Sequence, residues 1–61
     1  MTKTHLKQLE NIRVYIALGD RDLAARTISI LIRSALRKRD LIELMAQAET
    51  LGLTDNPEFI V

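Results

Sequence analysis

Apolar side chains recur at three- and four-residue spacing through three successive stretches of the chain. Only α-helices bury a pattern of that period on one side. Leu6, Leu9, Ile12 and Ile16 form the first stripe. Ala24, Ala25, Ile28, Leu31, Ile32, Ala35 and Leu36 form the second, and Leu41, Leu44, Met45, Ala48 and Leu51 the third. The run from Thr27 to Ile32 is β-prone by propensity alone, but its flanks keep the helical period over about four turns. The expected class is all-α.

Helix punctuation divides the stripes. Thr2 or Thr4 can cap a first helix over about 4–18, and Gly19 supplies the left-handed residue that commonly follows a helix end. Asp20 reads as the N-cap of a second helix over about 21–38, with Asp22 near its positive end. No Gly or Pro lies between Ser34 and Leu51, so one continuous helix over 21–51 is the rival. Extrapolated along a continuous helix, however, the third stripe points nearly opposite to the second. Asp40 with Glu43 three residues on can also serve as a capping box. A break near Arg39–Asp40 is therefore expected, with a third helix over about 41–51. Gly52 ends it, Leu53 supplies the apolar contact of such a stop, and a tail over 52–61 follows. The expected arrangement is a single domain over 1–61, an antiparallel helical hairpin with a third short helix.

A chain of 61 residues buries only about 60% of its unfolded surface and usually needs a staple. There is no cysteine, and His5 is the only histidine, so neither a disulfide nor a structural zinc is expected. Tyr15 and Phe59 are the only aromatics, which leaves an aliphatic core. Association is the staple that remains. Val14 and Leu18 fall off the first stripe, Leu23 and Ile30 off the second, and together they are the candidate surface of a helical-bundle homodimer. Phe59-Ile60-Val61 is a further apolar set, expected to fold back on the core.

Net charge is only +1, but the charge is sorted along the chain. Residues 1–19 carry Lys3, Lys7 and Arg13 against Glu10, and residues 20–39 carry six bases against Asp20 and Asp22. Residues 40–61 hold Asp40, Glu43, Glu49, Asp55 and Glu58 with no base. Arg26, Arg33 and Arg37 share a face of the second helix, and Arg37, Lys38 and Arg39 crowd its end. Such a set can bind phosphates or can simply complement a helix C-terminus. These five residues are the candidate surface for a partner or a nucleic acid, the latter less favoured because neither aromatic is placed to stack beside them.

Ile32-Arg33-Ser34-Ala35-Leu36-Arg37 resembles the second helix of ribbon-helix-helix repressors, which would imply DNA binding, although Met1–His5 offers no reading strand. Val14–Asp20 followed by Ala24 and Ala25 resembles the hairpin turn of tetratricopeptide-type helix pairs. Only one such unit fits, where a solenoid needs about three. Gly52–Pro57 resembles a segment of small aspartyl-phosphate phosphatases. The serine-glutamine and leucine-aspartate motif of that family is missing, so no activity carries over.

No enzyme is expected, because there is no Cys nucleophile, phosphate loop or acid–base constellation, and His5 reads as a solvated residue near a frayed end. No catalytic residue, cofactor or metal site is assigned. No window approaches the roughly 18 apolar residues of a membrane span, and no signal-peptide core is visible. The expectation is a cytoplasmic protein with no membrane partner. Its expected role is that of a small regulatory or adaptor protein acting through protein–protein contact, of phage, plasmid or bacterial accessory type. The alternative is a DNA-binding regulator using the basic end of the second helix.

Overall fold

The computed structural model describes all residues from Met1 to Val61. Three α-helices follow one another, α1 (Lys3–Ala17), α2 (Arg21–Ser34) and α3 (Lys38–Thr50), with no strand. The Thr2 side chain caps α1 by accepting the His5 N–H at 3.1 Å, and Asp20 caps α2 by accepting the Leu23 N–H at 3.1 Å. Each cap satisfies a first-turn donor that has no partner within its helix.

α2 is the middle element. It packs against α1 and against α3, while α1 and α3 do not pack backbone to backbone on each other. Leu9 and Ile12 from α1, Ala24, Ala25, Ile28, Leu31 and Ile32 from α2, and Leu44, Ala48 and Leu53 from the α3 side form the buried cluster. Small Ala24 and Ala25 let neighbouring elements approach α2 closely, and Ile28, fully buried, fills the centre. The radius of gyration is 10.4 Å, close to the ~10.5 Å of a packed chain of this length.

Both glycines between helices adopt the left-handed backbone their sites require, φ +84° at Gly19 and +69° at Gly52. Their N–H groups bond back to Ile16 and Glu49. A side chain at either position would be strained whatever the space around it.

The α2–α3 boundary differs from the sequence expectation. α2 stops at Ser34 instead of reaching 38, and α3 begins at Lys38 instead of 41. Ala35 turns extended with ψ 124°, and Arg37, not Asp40, occupies the N-cap of α3 without a side-chain hydrogen bond. The cause is burial of Asp40. Its side chain is turned toward α1, with the Met1 amine at 3.5 Å and His5 Nδ1 at 3.9 Å from its oxygens, so it is not available as a cap. The Asp40–Glu43 capping box and the continuous helix over 21–51 are both absent. Leu36, beyond the end of α2, is 98% exposed instead of joining its stripe. Leu6 and Leu41 are also exposed, each at the edge of its helix's apolar face.

The tail is held. Phe59 packs on the buried cluster, the Asn56 N–H donates to Leu53 O, and the Phe59 N–H donates to Asn56 O. No helix is long and apolar enough to cross a membrane.

Candidate interaction surfaces

The basic residues assigned from sequence fall into two groups. Arg26 lies one turn into α2, and the tail comes back across it. Its Nε and Nη2 both donate to Glu58 Oε1, at 3.2 and 2.6 Å. The hydrogen bond and charge of Glu58 raise the Arg26 pKa further above its already high value. Arg26 is therefore engaged within the chain, although its side chain stays largely open to solvent. Arg33, Arg37, Lys38 and Arg39 are exposed and form no ion pair. Arg33 shares the open face of α2 with Arg26, seven residues away, while the last three sit at the corner between α2 and α3. The expected single basic face is thus divided, one end neutralised by Glu58 and the other free.

The same acidic segment ties a second cation. Arg21 Nη2 donates to Leu51 O and Gly52 O, both at 2.8 Å. It covers two carbonyls at the negative end of α3, where a cation is favourable. Asn56 Nδ2 donates to Asp22 Oδ1 at 3.0 Å. The start of α2, the end of α3 and the tail are thereby joined by polar contacts.

Of the assigned apolar positions, Val14 is 53% exposed, Leu18 78% and Ile30 52%. Leu23 is half-buried. Ile30 lies between Arg26 and Arg33 on the open face of α2, with Leu23 two turns earlier. Val14 and Leu18, four residues apart, share a face of α1. None of the four belongs to the buried cluster.

Two buried polar residues escaped the sequence reading. Ser29, mid-helix, donates to Ala25 O at 2.7 Å and accepts the Ile60 N–H at 3.0 Å, so its hydroxyl pins the tail to α2. Asp40 is the other. With His5, Thr2, Ser34, Leu36, Arg37 and Met1 it lines an open hollow of about 370 Å³ between the starts of α1 and α3. His5, expected to be solvated, is half-buried here, and its Nδ1 has no hydrogen-bond partner. No three His, Asp or Glu side chains converge as potential metal ligands.

The chain matches no protein-family model, no curated protein and no solved structure.

Proposed function

We propose that the chain is a small regulatory or adaptor protein without catalytic activity, which acts by protein–protein contact as a homodimer. In this reading α1 and α2 form an antiparallel hairpin with α3 folded across it, and two copies associate through the outer faces of α1 and α2. One observation carries it: Val14, Leu18 and Ile30 remain open after the chain has closed its own core. Leu23 accompanies them at the margin. A chain with so small a core gains stability by covering such side chains, each worth about 1.5–3 kcal/mol on full burial. Arg33, flanking Ile30, supplies a polar rim that can fix register across the interface. Sedimentation equilibrium at micromolar concentration tests this. The expected mass is twice the 7.0 kDa of the chain, reduced to one chain by Ile30→Lys. A folded wild type that stays monomeric overturns it.

A second reading, a DNA-binding regulator, is favoured by the four bases free of ion pairs at and before the α2–α3 corner. It requires salt-sensitive binding to duplex DNA at low ionic strength. Reversing Arg33 and Arg37 to Glu should abolish that binding.

A further inference from the structure

The corner between α2 and α3 combines three features, none of which stabilises the free protein. Leu36 is 98% exposed, the highest value of any large apolar side chain here. Arg37, Lys38 and Arg39 stand at the start of α3, where the helix dipole already presents positive charge and cations are unfavourable. Arg37 makes no capping bond, so the first N–H groups of α3 stay open, whereas α1 and α2 are both capped by side chains. Local rules broken together at one exposed place mark a surface shaped for a ligand.

The chemistry selects the ligand. Three adjacent cations and open helix N–H groups call for negative charge. Asp40 next to them is turned inward, and Glu43 is the first exposed acid along α3. Alongside the cations sit aliphatic chains. Leu36 protrudes, and exposed Ile42 lies four residues from Lys38 and three from Arg39, on the same outward side of α3. A duplex engages a protruding leucine only as a wedge that must unstack a base step, and no aromatic is present here to stack on single-stranded bases. A bilayer of anionic lipid accepts both components without a preformed pocket: headgroup phosphates for the cations, and the acyl boundary for Leu36 and Ile42.

We propose that the Leu36–Arg39 corner, with Ile42, docks the protein on anionic membrane surfaces. The chain lies on the bilayer without crossing it. Each base close to such a surface multiplies affinity about five-fold, and burial of the leucine contributes about ten-fold or more. The result is reversible attachment, strengthened when two corners act together. The inference does not rest on dimerisation.

The chain contains no tryptophan, so Leu36→Trp provides a unique reporter at a site with no packing to disturb. The full chain is mixed with vesicles of phosphatidylcholine alone, or of phosphatidylcholine with phosphatidylserine. Phosphatidylserine vesicles should shift the emission of the introduced indole to the blue and co-sediment the wild type, while phosphatidylcholine alone should do neither. Leu36→Ser should weaken co-sedimentation about ten-fold, and Lys38→Gln with Arg39→Gln about twenty-five-fold, with circular dichroism unchanged. Absence of binding to phosphatidylserine overturns the proposal. So does binding that Leu36→Ser leaves intact, which would be charge attraction alone. Tighter binding to a short DNA duplex than to these vesicles, equally indifferent to Leu36, would assign the corner to nucleic acid instead.

Discussion

The two ends of this molecule hold the same helices together by opposite means. At one end, α1 turns into α2 through Gly19 and α3 stops at Gly52. There Arg21 covers two carbonyls of the α3 terminus, Asn56 reaches Asp22, Glu58 holds Arg26 and Ser29 holds the Ile60 amide. At the other end, α1 begins and the chain passes from α2 to α3. The contacts there are a carboxylate 3.5 Å from an amine and 3.9 Å from an imidazole nitrogen, both beyond good hydrogen-bond distance. An uncapped helix start and a bare leucine accompany them. Segments with few buried contacts and unsatisfied ends open most readily, and binding surfaces are drawn from such regions. The acidic tail therefore serves mainly to tie the closed end, and the free bases collect at the open one.

Substitutions at each end test this contrast. The largest effect is expected beneath the closed end. Leu53, fully buried behind Gly52, should lose about 2–5 kcal/mol on change to Ala, read from urea denaturation. Ile28→Ala, at the centre, should cost a similar amount; a small loss there would mean that α2 faces the other way. Ser29→Ala should cost about 1 kcal/mol and speed exchange of the Ile60 amide more than that of core amides. At the open end the sign reverses. Arg37→Ser gives α3 the side-chain cap it lacks and removes a cation from its positive end, so stability should rise by about 1 kcal/mol. Leu36→Ser should change stability by under about 0.5 kcal/mol, since nothing covers that side chain. The Arg26–Glu58 pair adds no pH dependence from its arginine near neutrality. A raised arginine pKa gives stability that is complete below the unfolded value and lost only in strong alkali.

Much of the fold was legible because helical period and glycine punctuation agree. Ile28, Leu31 and Leu44 are buried where their stripes place them, and Asp20 caps α2 as its position implies. The α2–α3 boundary was not legible, because Asp40 satisfies two patterns. As an acid before an apolar run it reads as a cap. As the residue four before Leu44 and eight before Ala48, it lies on the buried stripe of a helix that starts earlier. Proximity to His5 and the chain start, 35 and more residues away in sequence, decides for burial. Ser29 was missed similarly, although Ala25 four residues before and Ile32 three after bracket it on the buried side of α2. The division of the basic face depends on where the tail returns. Charge sorting along the chain shows where the acids and bases lie in sequence, but not that Glu58 reaches Arg26 and leaves Arg33 free.

Residue-resolved amide exchange by NMR tests the contrast between the ends most directly. The amides of Leu53, Phe59 and Ile60, bonded to Ala48 O, Asn56 O and Ser29 Oγ, should be strongly protected. The amides of Lys38, Arg39 and Asp40 should exchange almost as fast as in an unfolded chain. Fast exchange across 53–60 together with protection at 38–40 would mean that the corner between α2 and α3, and not the tail end, is the tightly held one.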